Sequence, residues 1–426
     1  MTVYCGIDWA EKHHDIALVD EAGTVIAQRR ITESSQGYQQ LLDMLAEAGD
    51  SPEAPIPVAI ETPRGLLVAC LRASGRQVFA ISLLSASRYR ARHAVSRKKS
   101  DQQDAVVLAN ILRTDMPMHR PLPSDSQQAQ AIAVLARAHQ DAVWRVHRLG
   151  NELRSILREY FPAFLALFAG QEGGVTCREA RAVLKIAPTP AIARPLTTAE
   201  LHTALKGCGR IYHLHTWAER LRTGFQTDQL CQSHLVEEAM GQQALALLAV
   251  LDAACQAAAD LHQATVTAFR AHPDYAIVTS FPGLRELTGA RLFAEIGDDH
   301  TRFADARALK AYAGAAPITR ASGRSRAVVH RRVKNRRLAA VGYIWTFAAI
   351  TASPGARAHY DRRKDHGDRH SSALRNLYNR FLGCLFHCLV TGQAYAEHVA
   401  FPTAEPEGSA APRPPRAAVT ADAQRS

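Results

Sequence analysis

Residues 1 to about 115 alternate short apolar runs with polar turns, the pattern of strands interleaved with helices. Residues 3–7 form the first run, and residues 15–19 and 24–29 flank Asp20-Glu21-Ala22-Gly23, a sequence suited to a hairpin turn. Ser34 or Ser35 is placed to cap a helix whose apolar positions are Leu41, Leu42 and Leu45. A further run, residues 57–60, ends at Glu61, and a helix through Leu66, Leu67 and Leu71 follows it. A strand over 77–81 and an Ala- and Leu-rich helix from near Asp101 complete the region. Hairpin strands first, then strands alternating with helices, predict a mixed α/β sheet.

The periodicity changes after the prolines at 117, 121 and 123, which read as a linker. Ile132, Leu135, Val143, Val146, Leu149, Leu153, Ile156 and Leu157 recur at three- and four-residue steps. They predict one amphipathic helix of more than 25 residues, long enough for a coiled coil or helical arm. Gly173-Gly174 lies in a break, and helical stretches around 197–224 and 235–270 complete an α-helical middle. A new compact region runs from Phe281 to about 398, and residues 401–426, rich in Pro and Ala, read as a disordered tail. The predicted domains are therefore 1–116, 124–270 and 271–400, followed by the tail.

Charge adds a partner to this outline. Lys+Arg 51 against Asp+Glu 40 gives a formal net charge of +11, which points to nucleic acid or an anionic membrane surface. Hydrophobic residues at 47% exclude wholesale disorder. The eight cysteines form no CxxC pair, which argues against a zinc ribbon and fits a reducing cytosol. Asp8 interrupts the N-terminal apolar run, unlike a secretory signal, and no run of about 18 uninterrupted apolar residues predicts a membrane span. Cys384, His387 and Cys388 share a helix but lack a second pair of ligands, so they read as core. His13 and His14 follow Asp8 closely enough to approach metal or phosphate but read rather as solvated hairpin positions, and Tyr89 either stacks on a base or packs on the sheet.

Four acids carry candidate chemistry. Asp8 and Glu61 end strands, and Asp101 and Asp104 lie three apart at a helix start, so both can project from one face. Strand ends on one edge of such a sheet converge, and carboxylates gathered there repel unless a divalent cation binds between them. Two such ions roughly 4 Å apart can clamp the attacking and leaving oxygens of a phosphoryl transfer. Arg88, Arg90, Arg92, Arg97, Lys98 and Lys99 precede Asp101 without an intervening acid and place positive charge where a phosphate backbone would approach. Taken singly, each acid reads as a structural turn or cap residue rather than a catalytic one, Asp101 as the N-cap after Ser100.

The second candidate region is C-terminal. Pro282-Gly283 before a helix is a possible helix-hairpin-helix turn, in which backbone N–H groups hold a phosphate. Residues 318–337 then hold Arg320, Arg324, Arg326, Arg331, Arg332, Lys334, Arg336 and Arg337 with no acid. A solvated face normally mixes signs, so this run favours a nucleic-acid contact. Ser322-Gly323 sits among these arginines, either as a turn or as a nucleophile activated by its cationic surroundings.

GIDWAEKHHDIALVD, IETPRG and KKSDQQDAVVLA resemble the three N-terminal motifs of the DEDD transposases of the IS one-ten insertion-sequence family. The run from Pro282-Gly283 through Thr288-Gly289-Ala290, Ile296-Gly297-Asp298 and Ala311-Tyr312-Ala313-Gly314 to Ser322-Gly323 resembles their C-terminal transposase domain. Ala315 stands where that family usually has Leu, and Lys334 where it often has Gly. The resemblance implies a RuvC-like first domain of the RNase H fold, an α-helical coiled-coil middle and a mainly α-helical C-terminal domain. It implies that Asp8, Glu61, Asp101 and Asp104 coordinate Mg2+, as two ions, and that Ser322 is the nucleophile forming a covalent phosphoserine link. It further implies double-stranded DNA partners (element junction and target), an element-encoded bridge RNA as guide, and a homodimer assembling to a tetramer. The location implied is the bacterial cytoplasm, at the nucleoid. A metal-dependent structure-selective nuclease of the Holliday-junction resolvase type, with the four acids but no serine chemistry, is the alternative. A sugar-kinase-like reading of Gly6-Ile7-Asp8 is disfavoured, because Trp9-Ala10-Glu11 offers no phosphate-cradling Gly, Thr or Ser.

Overall fold

The computed structural model describes residues 2–93, 101–323 and 325–402, and the chain divides into two compact units, Met1–Ser124 and Asp125–Ser426. The first unit runs β1 (Val3–Trp9), β2 (His13–Asp20), β3 (Val25–Thr32), α1 (Ser35–Glu47), β4 (Val58–Ile60), α2 (Leu66–Ala73), β5 (Val78–Ala80), α3 (Leu83–His93) and α4 (Asp101–Asp115). Its five strands form one mixed sheet in the order β3-β2-β1-β4-β5, antiparallel across the first three and parallel from β1 to β5. The arrangement is consistent with the RuvC-like domain expected above.

Strand alternation sorts the sheet into two faces. Cys5, Ile7, Ile16, Leu18, Val58 and Ile60 pack with Leu41 and Leu45 of α1 and Leu67 and Leu71 of α2. Ala59 and Phe79 face the other way, onto Ala86 and Tyr89 of α3 and Leu108, Ile111 and Leu112 of α4. Ser34 caps α1 by accepting a hydrogen bond from the Gly37 amide, as the sequence predicts. Helix α3 falls where the sequence showed only a basic run. Ser82 accepts a hydrogen bond from the Ser85 amide at its start, and the buried Tyr89 fixes its inner face. Tyr89 is thus a packing residue. The 117–123 segment is not a free linker, because the Leu122 amide donates to the Val78 carbonyl at 2.7 Å and Leu122 packs on the first core.

The second unit is built on two long helices, α5 (Gln127–Tyr160) and α11 (His234–Arg270). Ala129 and Ile132 share a core with Phe269, whereas Leu149, Leu153 and Leu157 share another with Ala244, Leu248 and Leu251, so the helices run antiparallel. Between them in sequence, α6 (Pro162–Phe168), α7 (Arg178–Ile186), α8 (Pro190–Ala193), α9 (Thr198–Gly207) and α10 (Leu214–Gln226) complete the second of these cores. By length and composition α11 is apolar enough to cross a membrane, a property the sequence reading did not expect. Its Leu248, Leu251 and Ala254 are nevertheless buried within the protein.

Around the other end lie α12 (Tyr275–Thr279), α13 (Glu286–Ile296), α14 (Ala306–Tyr312), β6 (Ile318–Ser322), β7 (Ser325–Val329), α15 (Arg336–Ala352), α16 (Pro354–Asp365), α17 (His370–Thr391) and α18 (Glu397–Ala400). Trp345, Phe281 and Phe381 are fully buried at its centre. Cys384 and Cys388 belong to this core, as expected. The β6–β7 hairpin is the strand element within this mainly helical region: Thr319, Val328 and Val329 favour extended backbone, and Gly323 turns it at φ +54°. Gly283 also has a structural cause. It sits at φ +78°, and a Cβ there would lie 2.6 Å from the Ala349 amide of α15, so the turn serves helix packing. The tail boundary shifts as well, because Phe401 packs against Phe381 and Arg380. Residues 403–426 lie outside the described residues.

Candidate active site

Register brings the first acids together. Asp8 lies directly opposite Asp15 in the β1–β2 pair, so both side chains leave the sheet on one face. Ile7 is opposite Ile60 in the parallel β1–β4 pair, and Glu61 follows at the same sheet end. Helix α4 crosses this face, and Gly6 lets it approach: a Cβ there would run into the Ala105 carbonyl oxygen and the Ala109 nitrogen. Asp101 and Asp104, in the first turn of α4, thereby join the strand-end acids. Burial, and then the carboxylates of Glu61, Asp104, Asp101 and Asp15, push the Asp8 carboxyl up to about 7.

The other acids are held differently. Asp104 is buried, with Oδ1 2.6 Å from Arg90 Nη2 but outside hydrogen-bond geometry. Arg30 forks onto Asp15 (Nε to Oδ1 3.1 Å, Nη2 to Oδ2 2.7 Å) and approaches the exposed Asp101 at 3.6 Å. Donor atoms of His13, Asp15 and Asp101 lie within 4.8 Å of one another. Sequence reasoning missed Asp15 as a neighbour of the four acids and placed His13 in solvent in preference to its alternative, an approach to metal or phosphate. The signal was present in the pairing of Asp8 with Asp15 across the tight turn after Trp9. His14, expected to be solvated, is buried instead, 2.8 Å from Glu33 and stacked on Trp9 at 6.3 Å.

This donor set fits a hard divalent cation. It is dominated by carboxylate oxygens, it holds more negative charge than Arg30 and Arg90 offset, and one buried Asp104 oxygen lacks a well-aligned donor.

The predicted nucleic-acid contacts fall into three groups. Arg88 is exposed on α3, whereas Arg90 is committed to Asp104. Arg97, Lys98 and Lys99 lie outside the described residues, as does Arg324. Ser322 ends β6 opposite Ser325, fully in solvent, and forms no side-chain hydrogen bond among the described residues. Arg320, two residues earlier, shares its face, and Arg326 emerges on the opposite face. Arg332 and Arg336 are exposed, and Arg331 is half-buried with Nε donating to the Ala316 carbonyl at 3.4 Å. Arg337 is structural: it pairs with Asp141 at 2.7 Å and lies over the Trp144 ring. Lys334 lays its stem against Gly314, and Asn335 caps α15 while donating to Glu295 and Tyr312, each at 2.7 Å.

Residues 5–162 match the DEDD transposase model of the IS110 group, and residues 275–361 match the transposase model of the IS116/IS110/IS902 family. The mini-circle protein assigned as the transposase for IS117 in Streptomyces coelicolor is 60% identical over 94% of this chain and 97% of its own length. The chain belongs to the IS110 family of DEDD transposases. More distant members share its full extent. The 43.6 kDa protein of insertion element IS110 from S. coelicolor is 25% identical over 92% of this chain and 95% of its own length. The 42 kDa protein of insertion element IS900 from Mycobacterium paratuberculosis is 25% identical over 91% and 95%. The transposase is a DNA-processing enzyme of the phosphoryl-transfer class, its substrate is DNA, and its family implies a divalent metal. Only the family resemblance, not the residue chemistry, separates Ser322 from an ordinary turn serine.

Proposed function

We propose that this transposase cuts and rejoins DNA strands with Asp8, Glu61, Asp101 and Asp104 holding Mg2+, as two ions, and Ser322 as nucleophile. The observation that carries the reading is the gathering of Asp8 with Glu61, Asp104, Asp101 and Asp15, where burial first and these carboxylates second lift Asp8 to about 7. Perturbation of this kind is characteristic of functional sites. Bound Mg2+ would neutralise charge developing on the scissile phosphate. Asp8 and Glu61 are held by the sheet end, and Asp101 and Asp104 by the first turn of α4. Arg90 keeps the Asp104 carboxylate oriented, and Arg30 does the same for Asp15.

In the strand-cleaving step the Ser322 oxygen attacks phosphorus, a Ser–O–P ester forms, and the departing strand leaves as a hydroxyl. Arg320, on the face of Ser322, is suited to hold the phosphate, and Arg326, Arg331, Arg332 and Arg336 extend the basic surface. Reversal of the same exchange onto a second strand joins DNA without loss of bond energy. Choice of junction and target falls to an element-encoded bridge RNA through base pairing. Domains at 1–116, 124–270 and 271–400, with a coiled-coil arm mediating a homodimer that pairs into a tetramer, complete the proposal. The setting is the bacterial cytoplasm, at the nucleoid.

Cleavage of element-junction DNA by the protein with flank-derived RNA and Mg2+ tests the carboxylate half. Asp8→Ala abolishes it if the reading is right, and an Asp8→Ala protein cutting at the wild-type rate would refute it. Among the described residues no base is hydrogen-bonded to Ser322, which favours a second reading, in which the acids act as a structure-selective nuclease without serine chemistry.

A further inference from the structure

Between the end of α14, the segment after β7, and the helices α15 and α17 lies a cavity of about 180 Å³. At roughly 30 Å³ per water it has room for a phosphate group and several waters. Its rim carries Lys334, His330 and Arg375, with Ser371 beside them. Lys334 Nζ stands 3.2 Å from His330 Nε2. None of the three side chains, of which Lys334 and Arg375 carry the charge, has a carboxylate within ion-pair distance among the described residues. Four basic residues elsewhere in this unit are matched by acids: Arg137 by Glu295, Arg270 by Glu286, Arg337 by Asp141, Arg363 by Asp368. Burial, then Arg375, holds the Lys334 ammonium below its ordinary range. Burial, then Lys334, Arg375 and Arg332, does the same for His330. Like charges gathered around a cavity are relieved by an anion.

One exposed aromatic ring lines the cavity and a second adjoins it. Tyr343 of α15 lines it and is 50% exposed, and Phe347, one turn on, is 54% exposed. His370 stands edge-on to both at 6.4 and 6.3 Å, and its Nδ1 is 2.7 Å from the Tyr360 hydroxyl. Bare rings beside an unpaired cationic pocket are the two components of single-strand recognition, a phosphate clamp and a stacking surface.

We propose that this cavity is a subsite for single-stranded nucleic acid. Lys334, His330 and Arg375 hold one backbone phosphate, and an adjoining base stacks on Tyr343 and Phe347. A duplex is excluded as occupant of the stacking surface, because its bases are stacked inside the helix. The subsite rests on the reading of the chain as a nucleic-acid enzyme but not on Ser322 or the carboxylates.

The test is fluorescence anisotropy on the full chain with labelled oligothymidylate and oligouridylate of about 12 nucleotides, and a duplex of equal length, across a salt series. Lys334→Met retains the stem that packs on Gly314 and removes the charge. Combined with Arg375→Gln it should weaken single-strand binding about tenfold and flatten the log–log salt slope by about 0.7 for the lost phosphate. Tyr343→Ala should weaken it at least about fivefold and leave the slope unchanged. Tighter binding of one oligonucleotide would identify the strand as DNA or RNA. Wild-type affinity and slope in the Lys334→Met, Arg375→Gln protein, with an unaltered melting temperature, would overturn the subsite. So would duplex binding without single-strand binding, and that outcome leaves the transposase reading intact. Failure to bind either form would overturn the subsite together with the nucleic-acid reading beneath it.

Discussion

Gly6 of β1 lies so close to Ala105 of α4 that no side chain fits between them. This approach sets where Asp101 and Asp104 stand relative to Asp8, so a residue without chemistry positions the site. Gly6→Ala must push α4 off the sheet. We expect a loss of about 3 kcal/mol or more in stability, because the clash is with backbone that cannot rotate away. Mg2+-dependent cleavage should fall further than the unfolded fraction accounts for. Urea denaturation and cleavage rates on the same preparation check both.

Asp8 makes stability depend on pH. Its carboxyl ionises near 7 in the folded chain and near 3.8 in the unfolded one. The folded state therefore binds the extra proton between those values. Stability without metal falls as pH rises through that window and levels off above 7. Asp8→Asn removes this component, so the metal-free variant should melt higher than wild type at pH 8 while being inactive. Divalent-cation affinity of the wild type should rise with pH up to about 7, since binding expels the proton. Melting curves with and without Mg2+ across pH show each trend.

Arg90 neutralises a buried carboxylate, and its removal leaves Asp104 without a partner charge. Arg90→Ala should cost about 3 kcal/mol in the absence of metal. A bound divalent cation takes over part of that role, so added Mg2+ should restore more stability to the variant than it adds to wild type. Equal Mg2+ stabilisation of the two proteins would show that Asp104 does not face the metal.

Asn335 ties α15 to α13 and α14. Its side chain accepts from the Leu338 amide and donates to Glu295 and Tyr312. Asn335→Ala loses the cap and leaves Glu295 short of a donor, at a cost of roughly 2–3 kcal/mol. Asn335→Asp keeps the cap but sets a carboxylate against the buried Glu295, and should be at least as destabilised. Chemical denaturation of the two variants distinguishes capping from the network.

Much of the first unit was legible because its signals are local. Ser34 announced its helix, the apolar runs announced their strands, and the strand ends at Asp8 and Glu61 announced an acidic edge. Asp15 was not legible as a site neighbour, and His13 was only the lesser alternative, because their approach to Asp101 comes from register and from α4 crossing the sheet. His14 was misread for the same reason: its burial depends on Glu33 and Trp9, both beyond its own strand segment. In the second unit the long helical periodicity held, with α5 running Gln127–Tyr160. The β6–β7 hairpin was hidden by its arginines, which mask strand alternation in a basic stretch. Arg90 and Arg337 looked like free cations until their partners, Asp104 and Asp141, came from other elements.

The most direct test of the central claim is a denaturing gel for protein covalently attached to DNA. The full-length protein, with RNA from the element flanks, is incubated with junction DNA, target DNA and Mg2+. We predict an adduct in wild type that is lost in Ser322→Ala and in Asp8→Ala. Ser322→Ala protein that cleaves at the wild-type rate, with no adduct in either, would contradict the account and leave a carboxylate nuclease in its place.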